Sequence, residues 1–122
     1  SIVKSEGGVA EMSVILHVKN RGRTKIKDIE VTEVLPSIVT IEREVSIGSL
    51  QPTKVLRHEK KGTIIVRWGL DNLDVSEERV LSYRIKSKLS ILGSFSLPAA
   101  TAVFKANDKT FTTASNRLSV GN

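Results

Sequence analysis

Apolar and polar residues alternate with a period of two along most of this chain. Across residues 12–19 the even positions Met12, Val14, Leu16 and Val18 are apolar, while Ser13, His17 and Lys19 are polar and only Ile15 breaks the rule. Successive side chains of a strand point to opposite faces, so this run predicts a β-strand with one face in a core and the other in water. The same period recurs between Lys27 and Leu35, with Ile29, Val31 and Leu35 set against Glu30 and Thr32. Val39, Ile41, Val45 and Ile47 keep odd spacing across a third strand, interrupted by Arg43. Ile64, Val66, Trp68 and Leu70 oppose Thr63, Arg67 and Gly69, and Leu81, Tyr83 and Ile85 oppose Ser82, Arg84 and Lys86. Residues 99–120 read as two more strands, with a turn near Asn107-Asp108-Lys109.

Turn chemistry lies between these runs, at Asn20-Arg21-Gly22, Leu35-Pro36-Ser37, Gln51-Pro52-Thr53, Lys61-Gly62, Asp71-Asn72 and Leu92-Gly93. Gly and Asn tolerate positive φ and Pro presets its own φ, so each stretch can redirect the chain. Asn20 and Gly22 suit a tight reversal that pairs the strand ending near Val18 with the one starting near Lys27. Pro36 has no N–H to donate and suits a strand end or edge. No window carries a capped helical stripe. About seven or eight short strands separated in this way predict an all-β antiparallel sandwich. Uneven strand lengths favour two packed sheets over a closed barrel. Trp68 stands on the apolar face of its strand, where a large aromatic fills the space between sheets, and Tyr83 and Phe104 read as core by the same alternation.

The chain has 122 residues, enough for one domain and too few for two, so residues 1–122 read as a single domain. Hydrophobic residues at 39% and charged residues at 26% match a folded domain rather than a disordered tail. No apolar run approaches the roughly 18 residues that cross a bilayer, so no membrane insertion by this segment is expected. The chain opens on Ser1 with no basic-then-apolar leader, and it reads as a piece excised from a larger protein. The absence of Cys excludes disulfides, thiolate metal sites and cysteine nucleophiles.

Candidate chemistry is sparse. His17 and His58 are the two histidines, and neither sits in a motif with a nucleophile. No nucleophile elbow, His-Glu-x-x-His pair or phosphate-binding Gly-rich loop occurs, so no catalytic residue and no cofactor is expected. Asp71, Asn72 and Asp74, with Glu77 and Glu78 nearby, gather oxygen donors in a predicted loop. Calcium takes about six to eight oxygens, but the spacing lacks the twelve-residue calcium loop. A self-bonded turn accounts for these residues better, and no metal site is assigned.

The basic residues form two clusters that give the chain much of its net charge of +6. Lys19, Arg21, Arg23, Lys25 and Lys27 run across the first turn, and Lys54, Arg57, Lys60 and Lys61 occupy a second hairpin or loop with His58. If the two loops met, they would form a positive patch able to contact a polyanion. The aromatics needed to stack bases are committed to the core pattern, which disfavours nucleic acid as a partner. Solvated Lys and Arg also discourage edge-to-edge sheet pairing. Thr110, Thr112, Thr113 and Ser115 offer hydroxyls for glycans, but the segment reads foremost as a strand.

Two segments carry a family resemblance. Val18-Lys19-Asn20-Arg21-Gly22, followed by Ile26, Ile29, Val31 and Val34-Leu35-Pro36, resembles the Asn-x-Gly turn, strand and Leu-Pro corner of the DUF11 and CARDB-like repeat domains of archaeal and bacterial surface proteins. Val66-Arg67-Trp68-Gly69-Leu70-Asp71-Asn72-Leu73, then Glu77, Leu81, Tyr83 and Ile85, is similar to their Trp-x-Leu-x-x-Leu element and the strand after it. The lumenal domain of the translocon-associated protein beta subunit has a similar layout, including an approach like Gly93-Ser94-Phe95. Ser76 stands where the repeat family carries Gly before Glu. The resemblance implies an immunoglobulin-like antiparallel sandwich and a non-catalytic spacer or adhesion module of a larger cell-surface chain. It implies neighbouring domains, other surface proteins or polysaccharide as partners, and an extracellular location. Charge-driven binding of nucleic acid or acidic polymer is the competing expectation, and the oligomeric state is left open.

Overall fold

Alternating sequence becomes paired strand through most of the chain. The computed structural model describes residues 2–6, 9–43, 48–88, 96–97, 100–114 and 118–119, with side chains for 11–43, 48–88 and 100–113. In chain order the strands are β1 (Ile2–Glu6), β2 (Val9–Lys19), β3 (Ile26–Pro36), β4 (Thr40–Glu42), β5 (Lys54–His58), β6 (Thr63–Leu73), β7 (Glu78–Lys88), β8 (Ser96–Leu97), β9 (Thr101–Ala106), β10 (Lys109–Ala114) and β11 (Leu118–Ser119). One sheet has the order β1-β2-β7-β4 and the other β10-β9-β3-β6-β5, while β8 and β11 form a small ribbon. Every strand-to-strand pairing in them is antiparallel. The fold is the expected immunoglobulin-like all-β sandwich, and the only helix among the described residues is a 3-10 turn at Glu59–Lys61.

The inward rows meet between the sheets. Met12 and Val14 of β2 and Leu81, Tyr83 and Ile85 of β7 face Ile29, Val31 and Leu35 of β3 and Ile64, Val66 and Trp68 of β6, all buried. Trp68 is 1% exposed, and its indole N–H donates to the Leu50 carbonyl at 3.1 Å. Its ring centroid lies 5.6 Å from that of Tyr83, and the rings are tilted by 47°. Leu50 belongs to a segment that crosses between the sheets and makes one parallel bridge to Leu81 of β7. The same carbonyl accepts from the Ser82 N–H at 3.0 Å, so one backbone oxygen ties the tryptophan to β7 of the other sheet.

Several local expectations change. The Asn20-Gly22 reversal does not join paired strands, because β2 pairs with β7 and β3 pairs with β6 and β9. The turn is an arch from one sheet to the other, since both strands need a buried face and each finds it by facing, not flanking, its neighbour in sequence. Asp71 and Asn72 do not form a turn either. They continue β6 to Leu73, which is fully buried and pairs with Ile26, so burial of Leu73 carries the strand past them. The reversal falls at residues 74–77, where the Glu77 N–H donates to the Asp74 carbonyl at 3.0 Å. Ser76 adopts φ 66° there, the left-handed conformation that glycine takes at lower cost.

Lys54 and Arg57 lie on β5, and Lys60 and Lys61 in the 3-10 turn that closes the β5–β6 hairpin. The third expected strand is observed as β4, after the buried Val39; Val45 and Ile47 lie outside the described residues, as do Leu92-Gly93 and Gly93-Ser94-Phe95. The turn near Asn107 is as expected: Asn107 and Asp108 take φ of 51° and 63°, the paired positive values of a type I′ hairpin between β9 and β10. β1 was not foreshadowed by any clean alternation.

Candidate functional site

The two sides of β2 are unequally covered. β7 pairs with β2 along its whole length, Val9 to Lys19, whereas β1 pairs only with residues 9–12. Among the described residues no strand flanks residues 14–19 on the β1 side. Every second residue of such an edge turns its N–H and C=O outward, ready to pair.

Beside this edge the second sheet extends further than the first. The hairpin of β9 and β10 overhangs it, and the space between them is an open cleft of about 370 Å³. Val18, Ile29, Ala102, Phe104 and Phe111 supply apolar lining, and Lys19 and Arg21 lie at the end next to the β2–β3 arch. Phe104 and Phe111 are direct cross-strand partners, stacked with centroids 5.6 Å apart and an interplanar angle of 21°. Phe111 remains 45% exposed.

Asn20 fixes that end of the cleft. Its side-chain N–H group donates to the Thr24 carbonyl at 2.8 Å and to the Leu73 carbonyl at 3.0 Å, and its side-chain oxygen accepts from the Gly22 N–H at 3.0 Å. Its backbone N–H donates to Glu77 O at 3.0 Å and its backbone carbonyl accepts from the Ser76 N–H at 2.9 Å. One residue, 4% exposed, therefore staples the β2–β3 arch to the β6–β7 turn. A Cβ at Gly22 would come within 3.3 Å of the Asn20 side-chain oxygen, so a side chain there would press on the staple.

The basic residues do not converge. Lys19, Arg21, Arg23 and Lys25 sit by the arch at one end of β3, and Lys27 lies at the start of that strand. Lys60 and Lys61 sit at its other end, where Pro36 pairs with Thr63 and the Ser37 N–H donates to the Gly62 carbonyl at 2.9 Å. With a rise of about 3.4 Å per residue, β3 holds Lys60 and Lys61 roughly 30 Å from the arch, while Lys54 lies beside the middle of the strand, level with Arg67 and Thr32. Several charges are also engaged: Lys25 with Asp74 at 3.7 Å, and Arg57 with the Ser37 carbonyl at 2.9 Å. Lys54 faces Arg67 across the β5–β6 pair on the outer side of the second sheet.

His17 is on the solvent face of β2, 2.8 Å from Glu78, and His58 is exposed at the end of β5. The hydrogen bond from His17, with help from Lys19 and Arg21, holds the Glu78 carboxyl below its ordinary value. The acidic turn closes on itself: Glu77 accepts from the Asp74 N–H at 2.8 Å and from Arg79 at 3.2 Å. Hydrogen bonding to the Asp74 backbone, ahead of Arg79, pulls the Glu77 carboxyl down. Among the described residues no cluster of three or more His, Asp or Glu side chains is placed to hold a metal ion.

Sequence reasoning passed over two features. Glu33 follows Ile29 and Val31 at the inward spacing of β3, and it is 2% exposed in the core, where the Tyr83 hydroxyl donates to its carboxylate. Burial pushes the Glu33 carboxyl up, partly offset by that hydrogen bond, and burial also raises Tyr83, with the Glu33 charge adding to it. The odd position of Glu33 was the available signal. The second feature is the Phe104–Phe111 pair, whose exposed ring no alternation rule distinguishes from a core ring.

No protein-family model matches the sequence, and no curated protein matches it. Two crystal structures of a GH20 exo β-N-acetylglucosaminidase from Vibrio harveyi, one in complex with N-acetylglucosamine and one of an inactive mutant, align with 93% of this chain at 11% identity, with TM-scores of 0.46 and 0.47. The chain spans 16% of the length of that enzyme. No helix among the described residues is long and apolar enough to cross a membrane.

Proposed function

We propose that this chain is a non-catalytic interaction module, a spacer or adhesion domain of a larger cell-surface protein of the archaeal and bacterial kind it resembles, and that it engages its partner at the cleft beside β2. The observation that supports this reading is the open apolar cleft of about 370 Å³ between β2 and the β9–β10 hairpin, with Val18, Ile29, Ala102, Phe104 and the half-exposed Phe111 in its lining. Exposed apolar surface on a folded domain marks a place of contact, so a cleft of this kind is suited to recognition. The sandwich supplies a rigid frame, and the Asn20 staple holds the arch that ends the cleft in one conformation.

The charge-driven alternative called for the two basic loops to meet, and the length of β3 separates the arch cations from Lys60 and Lys61. That spacing limits how many phosphates one polyanion contact could neutralise. An antibody to this domain, used on fractionated source cells, tests the module reading. A large parent chain in the envelope fraction is the expected result, and a small chain in the cytosolic fraction overturns it.

A further inference from the structure

We propose that Glu33 and Tyr83 form a latch between the two sheets, closed while the Glu33 carboxyl carries its proton and released when it ionises, so that β3 parts locally from β7. The inference goes beyond the module reading and uses no part of the cleft. Glu33 stands between Val31 and Leu35 on the inward row of β3, beside Val66 of β6, and is 2% exposed. Tyr83 comes to it from β7 in the other sheet, and its hydroxyl donates to the carboxyl group. The Tyr83 ring is itself fully buried and packed on Trp68. A hydrogen bond between side chains thus crosses an otherwise apolar core.

The inward rows that surround Glu33 carry Met12 and Val14 of β2, Val66 and Trp68 of β6, and Leu81 and Ile85 of β7, with no charge among them. Three cations lie near the ends of inward rows, and none turns to it. Arg57 of β5 donates to the Ser37 carbonyl, Arg79 of β7 donates to Glu77, and Lys109 of β10 is exposed beside the β9–β10 turn. Burial without a cation raises the Glu33 carboxyl above its ordinary value of 4.5, and the Tyr83 hydrogen bond offsets only part of that rise.

Strand pairing gives this contact room to open. β6 pairs with β3 as far as Pro36, whereas β9 pairs with it from Lys27 to Thr32 and, among the described residues, no further. Glu33 is therefore the first inward residue of β3 without a ladder partner on the β9 side. Drawing this stretch away from Tyr83 admits water to the carboxylate and breaks no ladder bond on that flank. A charge held in the apolar core costs far more than a neutral carboxyl, so ionisation and opening favour each other.

The test is an NMR study of the 122-residue chain across pH, following the Glu33 carboxyl carbon, assigned from its own backbone, and amide hydrogen exchange. The Glu33 midpoint is expected above 4.5. Between 4.5 and that midpoint, opening at residues 31–35 and 81–85 should rise by up to about tenfold per pH unit, after correction for intrinsic base-catalysed exchange, and should level off above it. Residues 26–29 and 70–73, at the arch end of the second sheet, should not follow. Glu33→Gln should abolish the rise. Tyr83→Phe removes the donor and keeps the ring, so it should move the Glu33 midpoint further up. The amide spectrum of each variant reports its folding.

A Glu33 midpoint at the ordinary value, an equal rise in Glu33→Gln, or an unchanged midpoint in a folded Tyr83→Phe each overturns the latch. A rise of the same size at residues 26–29 and 70–73 overturns it too, since ionisation then acts on the whole fold and not on this contact. If Glu33→Gln does not fold, the parent titration and Tyr83→Phe still decide.

Discussion

Replacing Asn20 should cost more stability than any exposed turn residue, and the nature of the replacement should matter in a predictable order. The side chain makes three hydrogen bonds in a nearly sealed site, two as donor to Thr24 and Leu73 carbonyls and one as acceptor from the Gly22 N–H. A neutral hydrogen bond contributes about 1 kcal/mol net, so Asn20→Ala should lose about 3 kcal/mol. Domains of this size are stable by only about 5–15 kcal/mol, so the loss is a large fraction of the whole. Asn20→Asp preserves size and the acceptor toward Gly22, yet turns both donor contacts into oxygen facing oxygen and buries a charge. It should therefore be at least as destabilised as the Ala variant at neutral pH.

Acidification protonates the new carboxyl and restores one donor. The folded state raises that carboxyl above its unfolded value, so stability lost at neutral pH should return as pH falls through the folded value. Urea denaturation reads the effect directly: with a slope of about 2 kcal/mol per molar, a loss of about 3 kcal/mol moves the midpoint down by about 1.5 M. An Asp variant within about 0.5 kcal/mol of the parent at neutral pH would refute the stapling account, as would an Ala variant costing less than about 1 kcal/mol.

Glu33 gives a pH test with a defined sign. Its carboxyl is raised in the fold, so above the ordinary value of 4.5 the unfolded chain loses the proton first and stability falls as pH rises toward the folded value. Glu33→Gln keeps an acceptor for Tyr83, so it should remove that decline and exceed the parent at pH 8 while matching it more closely at pH 4, as followed by urea midpoints; a parent chain that gains on the Gln variant with rising pH contradicts this. Ser76→Gly should stabilise by about 0.5–1 kcal/mol, because relief of the left-handed strain at φ 66° outweighs the added entropy of the unfolded chain, and a lowered melting temperature would count against it. Trp68, the single tryptophan, should emit at blue-shifted wavelength and resist iodide quenching; Trp68→Ala should cost about 3–5 kcal/mol, and Trp68→Phe clearly less, since the Leu50 carbonyl still accepts from Ser82.

The period-two pattern by itself determined that this chain makes strands and which face of most of them is buried. Met12 and Val14, Ile29, Val31 and Leu35, Ile64, Val66 and Trp68, and Leu81, Tyr83 and Ile85 are all inward in the fold, as their spacing requires. The hairpin at Asn107-Asp108 was legible too, because a two-residue turn with positive φ is a local property of Asn and Asp. These features need no information beyond a few neighbouring residues.

Partner choice was a different matter. Alternation states that a strand has an apolar face but leaves open which strand lies beside it, so only the tertiary structure separates β2 from β3 and sets β2 against β7, whose partners are 59 to 79 residues away. Glu33 is acceptable inside only because Tyr83, fifty residues on, arrives opposite it from the other sheet. Ser76 is held at a glycine-like φ by the turn it closes and by the Asn20 carbonyl on the neighbouring arch. The separation of the arch cations from Lys60 and Lys61 follows from the length of β3. Each of these depends on contacts between residues far apart in the chain, which a local pattern of apolar and polar positions does not encode.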